Sequence, residues 1–123
     1  MLSLMLPYPP SVNHMYKTSG NRRYLSKEAN EYIRAVKDRT PLCERYNAFL
    51  GVKLKVKIWV YPPDKRRRDL DNICKCVLDS VQKAGIIDDD YNIDCLILER
   101  REVISKGRII LEIRELTNER DIG

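Results

Sequence analysis

The sequence predicts an α+β fold: a two-layer sandwich in which a small mixed sheet carries helices packed on one face. Three observations predict it. Val52, Leu54, Val56, Ile58 and Val60 alternate with Lys53, Lys55, Lys57 and Trp59, the period of a strand with one buried face. Two segments, around Ala29–Val36 and Ile73–Ala84, repeat apolar residues at the spacing of one helical face. The order strand, helix, strand, helix, strand, strand suits a sheet with its helices segregated to one side. The 123 residues are enough for one domain spanning 1–123 and too few for two.

The elements follow in order. Leu2 to Leu6 is a short strand that ends at Pro7, because Pro7-Tyr8-Pro9-Pro10-Ser11 cannot be helical. Asn13 to Tyr24 is polar and basic, with Ser19-Gly20-Asn21 as its turn, and reads as a mobile loop or hairpin. Ser26 caps a helix whose buried face is Ala29, Tyr32, Ile33 and Val36. Thr40-Pro41 kinks or ends that helix, a second piece runs from Leu42 to Phe49, and Gly51 closes it. After the strand Val52 to Val60, Tyr61-Pro62-Pro63-Asp64 breaks the pattern, and Lys65-Arg66-Arg67-Arg68 forms a loop of cations. A helix spans about Leu70 to Ala84, with Gly85 as its C-cap. Ile93 to Val103 and Arg108 to Leu116 read as a hairpin turned by Ser105-Lys106-Gly107, followed by a polar tail after Thr117.

Composition removes several function classes. Lys and Arg number 23 against 18 Asp and Glu, a formal charge of +5. Charge alone leaves a polyanionic partner and a plain basic protein equally open. The apolar runs are too short for a membrane span, and Met1 to Pro7 has no basic region of the kind a signal peptide carries. A cytoplasmic protein with reduced thiols is therefore expected. Cys43, Cys74, Cys76 and Cys95 contain no CxxC pair, and His14 is the single histidine. Zinc fingers and histidine relays lack their ligands or their second member. Scattered glycines form no phosphate-cradling loop, which argues against a small-molecule nucleotide cofactor.

Chemistry concentrates in Asp64-Lys65-Arg66-Arg67-Arg68-Asp69-Leu70-Asp71-Asn72. In an extended stretch Asp69 and Asp71 project to one side while Leu70 turns to the core. Paired carboxylates make a hard oxygen site for Mg²⁺, and Arg66, Arg67 and Arg68 can hold phosphates beside it. The same residues also suit a plainer role, Asp69 as an N-cap and Asp71 as a complement to the helix dipole. A second acidic cluster, Asp88-Asp89-Asp90, follows the far end of the helix. Lys75 lies one turn after Asp71 and one turn before Asp79, either in a salt-bridge ladder or as an ammonium beside the carboxylates. Lys53, Lys55 and Lys57 form either a solvated sheet face or a track for phosphates. Tyr16, Tyr24 and Trp59 suit core or rim packing, an interface, or base stacking.

These residues strongly resemble the signature of the RusA-type Holliday junction resolvases. Pro7-Tyr8-Pro9-Pro10-Ser11-Val12-Asn13 is similar to that family's N-terminal Pro-Pro-Ser-x-Asn segment, and Leu78 to Gly85 to its helix end. Asp89-Asp90-Tyr91-Asn92-Ile93 resembles its second acidic motif, and Lys106-Gly107 its C-terminal turn. The resemblance implies a homodimeric endonuclease, bacterial or phage-encoded, that binds branched DNA. It would resolve four-way junctions with Mg²⁺ or Mn²⁺ by paired symmetric incisions, in recombination and repair. It implies Asp69, Asp71 and Asp90 as metal-binding catalytic acids, with Asp79 and Asp89 as acidic neighbours. Lys75 becomes the catalytic cation. Arg66, Arg67, Arg68, Asn13 and Lys17 become DNA contacts. The chain departs from the family pattern at Asp88, a third acid, at Asn92, where a Gln is expected, and at Ile86-Ile87, where many relatives carry an aromatic. Asp90 is chosen for its distance from Ile93.

Three other readings compete. A non-catalytic module for structured nucleic acid explains the charge but not the separated acidic clusters. A Mg²⁺-dependent transferase explains the DxD pair but lacks a glycine loop. A degenerate resolvase binds junctions without cutting.

Overall fold

The computed structural model describes residues 1–41, 49 and 51–116. Its main sheet has four strands in the order β1-β6-β4-β5. These are β1 (Leu2–Leu6), β4 (Leu54–Tyr61), β5 (Ile93–Arg100) and β6 (Arg108–Glu115). A separate hairpin pairs β2 (Tyr16–Ser19) with β3 (Arg22–Leu25). The helices are α1 (Val12–Met15), α2 (Lys27–Arg39) and α3 (Leu70–Lys83), and a 3-10 turn covers Asp90–Asn92.

Alternation builds the core in rows across the strands. Leu2, Ile113 and Val56 face one another, as do Leu4, Leu111, Ile58 and Leu98, and then Leu6, Ile109 and Val60. Tyr32, Ile33 and Val36 of α2 and Ile73, Cys74, Val77 and Val81 of α3 complete the same cluster, so both helices cover one sheet face. Each fully buried aliphatic side chain stabilises the fold by about 1.5–3 kcal/mol. Ser26 caps α2 as expected, its hydroxyl accepting from the Ala29 amide at 3.0 Å. The helix ends at Arg39, before Thr40-Pro41. Gly85, with φ 82°, turns the chain out of α3.

Several expectations need correction. Ile93–Val103 and Arg108–Leu116 do not form a hairpin. The first strand stops at Arg100 and pairs in parallel with β4, while β6 lies on the other side of β4 and runs antiparallel to it. The seven residues 101–107 span the end of β4, hung from it by Arg101 N–H to the Val60 carbonyl (2.8 Å) and Ile104 N–H to the Pro62 carbonyl (2.9 Å). The hairpin expected within Asn13–Tyr24 does form, turning at Gly20-Asn21, but a short helix precedes it and the Ser26 amide pins the stretch by donating to the Met15 carbonyl at 2.8 Å. The central strand starts at Leu54, and the helix after it ends at Lys83. The expected helical piece from Leu42 falls on residues 42–48, outside the described ones, although Phe49 is buried in the core. The tail after Thr117 also lies outside them.

The three strand lysines do not share a solvated face. Lys55 is buried, Lys57 is half-buried and only Lys53 is exposed. A bulge leaves Asp94 as an extra residue opposite Leu54–Lys55, and Asp94 pairs with Lys53 at 3.7 Å. Trp59 is half-buried, and Tyr16 packs at the rim beneath the Arg23 guanidinium. Tyr24 is exposed.

The parallel pairing of β4 and β5 fixes the direction of α3. Leu54 pairs with Ile93 and Val60 with Arg100, so α3 must run back along the sheet from the C-terminal end of β4 to the N-terminal end of β5. Its 14 residues cover about 20 Å.

Candidate functional site

A cavity of about 430 Å³ opens where the proline-rich segment faces the start of α3. Tyr8 to Asn13 form one wall, and Arg67, Arg68, Asp69 and Asn72 the other. The two segments are 54 positions apart at their nearest, Asn13 and Arg67, and meet because β1 and β4 end side by side across β6. The Tyr32 hydroxyl anchors the first wall by donating to the Pro7 carbonyl at 2.8 Å. Gly107 supports it from behind. Its φ is 67°, and a Cβ there would sit 3.0 Å from Tyr8 and Pro63 atoms. The Tyr8 hydroxyl is buried and has no hydrogen-bond partner among the described residues.

Asp69 stands at the N-cap of α3 with extended backbone angles, yet its side chain makes no capping hydrogen bond. The plain capping role therefore accounts for its position but not for its carboxylate. Asp71 is exposed in the first helical turn, and one of its oxygens accepts from the Asn72 amide at 3.0 Å. The two acids thus span a cap and a first turn rather than an extended strand, because Leu70 already begins the helix. Lys75 is exposed one turn further on. Among the described residues no ion pair joins it to Asp71 or Asp79, so the expected ladder does not form. Asp79 instead accepts from the Tyr16 hydroxyl at 3.4 Å.

The cationic loop is organised by Asp64, to which sequence reasoning gave no role. Its carboxylate accepts from both terminal nitrogens of Arg68, at 2.5 and 3.2 Å, and from the Arg66 amide at 2.9 Å. A longer contact reaches Arg66 Nε at 3.4 Å. The Arg68 hydrogen bonds, then the Arg66 amide, hold the Asp64 carboxyl well below the usual carboxylate range. The same pairing raises the Arg68 pKa. Arg68 also lies 5.6 Å from the Tyr8 ring centroid, and its side chain is only 24% exposed. Arg100 fixes the loop from the other side by donating to the Arg68 carbonyl. A carboxylate four residues before an arginine, outside any helix, carries no periodic signal, so only the fold reveals this clamp.

The second acidic cluster lies elsewhere. Asp88 and Asp89 organise their own loop, Asp88 by accepting from the Asn92 side chain and Asp89 from the Tyr91 amide, both at 3.0 Å. Asp90 begins the 3-10 turn before β5, and its side chain lies outside the described residues. This loop follows the C-terminal end of α3, about 20 Å from Asp69 along the helix axis. The fold therefore brings Asn13, Arg67, Arg68 and Asp69 around one cavity. It leaves Asp71 and Lys75 on the adjoining helix surface, Lys17 on the β2–β3 hairpin, and Asp89 and Asp90 at the opposite end of the sheet. Among the described residues no three His, Cys, Asp or Glu side chains gather as a metal cage.

Cys74 and Cys76 are buried free thiols, and burial pushes Cys76 up to about 11.

Comparison with known proteins agrees with the motifs. A family model described as Endodeoxyribonuclease RusA matches residues 7–114. The chain is 36% identical over 112 residues to the crossover junction endodeoxyribonuclease of Enterobacteria phage HK97, covering 91% of this chain and 92% of that protein. It is 35% identical over 119 residues to the protein of that name from Shigella sonnei, covering 95% and 97%. It is 34% identical over 120 residues to the one from Enterobacteria phage 82, covering 94% and 96%.

Proposed function

The chain belongs to the RusA family of endodeoxyribonucleases, and from that premise we propose that it resolves four-way DNA junctions by paired, symmetric, divalent-metal-dependent incisions. One observation carries the reading. The Asp69 carboxylate is not engaged by the helix it precedes, and it borders a cavity shared with Arg67, Arg68 and Asn13. A binding module has no use for an unengaged carboxylate beside its cations, since it repels phosphate unless a metal bridges the two.

The donor set fits a hard cation. Asp69 and Asp71 are exposed and offer carboxylate oxygens, the ligands such a cation prefers. Mg²⁺ or Mn²⁺ bound there supplies a Lewis acid and a more acidic water. The protein side of the chemistry follows from placement. Arg67 and Asn13 hold the phosphate backbone across the cavity, and Arg68, fixed by Asp64, presents its charge from a set position. The Lys75 ammonium stabilises charge that develops on the phosphate. The family resemblance assigns the third metal-binding role to Asp90, at the start of the 3-10 turn before β5.

That assignment has a consequence for assembly. Asp90 lies beyond the far end of α3 from Asp69 and Asp71, so one chain does not close the site by itself. A two-fold homodimer in which each protomer lends Asp90 to its partner closes two sites at once, and two sites match two incisions in a two-fold junction. The relatives come from phages and enterobacteria, and no described helix is long and apolar enough to cross a membrane. The origin of the relatives supports action on DNA in the bacterial cytoplasm.

Titrating Mg²⁺ against an end-labelled four-way junction tests this reading. Paired nicks at symmetric positions, absent in chelator and restored by Mg²⁺ or Mn²⁺, are expected. Junction binding without nicks at any metal concentration would contradict it.

A further inference from the structure

A second cavity, of about 360 Å³, lies on the other side of the cationic loop from the Asp69 cavity. Lys65 to Arg68 form one wall, and Arg100 and Arg101, from the junction of β5 with the following loop, form the other. Asp64 and Glu102 are the two carboxylates on its lining. Six cations thus face two acids, and Asp64 is already engaged by Arg68 and Arg66. Lys65, Arg67 and Arg100 have no ion-pair partner among the described residues. Arg101 contacts Glu99 at 2.7 Å, but both side chains are about half exposed, and a solvent-exposed ion pair of this kind holds its partners only weakly.

The walls are tied to each other. Arg100 donates to the Arg68 carbonyl, the Arg101 amide to the Val60 carbonyl at 2.8 Å, and the Ile104 amide to the Pro62 carbonyl at 2.9 Å. The cleft is therefore formed before any ligand arrives, which lowers the ordering cost of binding. Arg67 and Arg68 line both cavities, so the cleft continues the surface of the candidate cutting site.

We propose that this cleft is a second backbone-phosphate site, in which Arg100 and Arg101 act with Lys65 and Arg67 to hold the DNA strand that leaves the cutting site. The inference rests on the nuclease reading and extends it to a wall, Arg100 and Arg101, that the sequence motifs do not mark. The ligand class is the nucleic-acid phosphodiester, held by charge and guanidinium hydrogen bonds without base readout.

The test uses the full-length protein and a fluorescent four-way junction in Ca²⁺, with affinity measured across a series of KCl concentrations. Arg101→Gln and Lys65→Gln should each reduce the slope of log affinity against log salt by about 0.9 for every cleft occupied. Lys37→Gln, an equal charge change on the exposed side of α2, should leave the slope as in the parent. A parental slope in both cleft variants, or an equal reduction in Lys37→Gln, would overturn the second site. Failure of the parent itself to bind the junction would overturn the nuclease reading and this inference together, so the two failures are distinguishable.

Discussion

At its N-terminal end α3 meets four consecutive cations and two acids, and at its C-terminal end it meets three consecutive acids. The first end is braced from several sides. Asp64 holds Arg68, Tyr8 lies under Arg68, Arg100 secures the loop, and Gly107 backs Tyr8. The second end is held mainly by its own acids, through contacts among Asp88, Asp89, Tyr91 and Asn92, and Tyr91 is 78% exposed beside Lys53. The helix therefore sets a fixed separation between a cationic end and an acidic end. Residues about 20 positions apart in the chain, Asp69 and Asp90, stand at opposite ends of the sheet. On the proposed reading the braced end fixes phosphates, and the acidic loop serves the braced end of a second copy.

Substitutions at the two ends should separate these roles. The largest effect is expected at the acids: Asp69→Asn or Asp71→Asn should abolish nicking while junction binding persists or tightens, because each carboxylate repels phosphate. Gel-shift and cleavage assays on the same junction check this, and near-normal nicking by Asp71→Asn would remove the braced end from the chemistry. Next comes Lys75→Ala, which should slow single-turnover cleavage about 10²–10³-fold at saturating protein, with normal binding and circular dichroism. Lys75→Arg should recover little, since a planar guanidinium does not replace a compact ammonium.

Stability should change by less. Gly107→Ala places a side chain at positive φ against Tyr8 and Pro63. It should destabilise the fold by about 1–3 kcal/mol in urea titrations, and Asp88→Ala at the other end should cost less. The smallest effect concerns pH. The Asp64 pKa is depressed on folding, so its pairing contributes stability above the ordinary carboxylate value of about 3.9 and loses it as pH falls towards the lower folded value. The difference in melting temperature between the parent and Asp64→Asn should therefore stay constant from pH 8 to pH 5 and narrow below about pH 4.

Much of this architecture was legible in the residues. Alternation marked β4 and β6, Pro7 ended β1, the Ser26 cap and Pro41 bounded α2, and Gly85 closed α3. Pairing was less legible, because β5 shows its partner neither in its composition nor in its periodicity. Its parallel match to β4 depends on the crossover through α3, whereas a turn at Ser105-Lys106-Gly107 suggested a local hairpin. The four-residue helix α1 escaped notice because it is too short for a periodic face and Ser11 makes no capping bond. At the candidate site, two separate motifs named Asn13 and Arg67, Arg68 and Asp69, and only the fold places them around one cavity. The Asp64 clamp and the Arg100–Arg101 wall escaped because they depend on where loops meet in space.

The central claim, that Asp69 and Asp71 of one protomer work with Asp90 of another, is tested most directly by mixing two inactive variants. Asp71→Asn and Asp90→Asn proteins are each assayed alone on a labelled four-way junction, then mixed under conditions that exchange subunits and assayed again. If the site is shared between protomers, a mixed dimer contains one intact site and one doubly defective site. The mixture should then nick a single strand per junction although neither variant nicks alone. If all three acids act within one chain, no mixed dimer contains an intact site, and a mixture as inactive as its components would contradict the account.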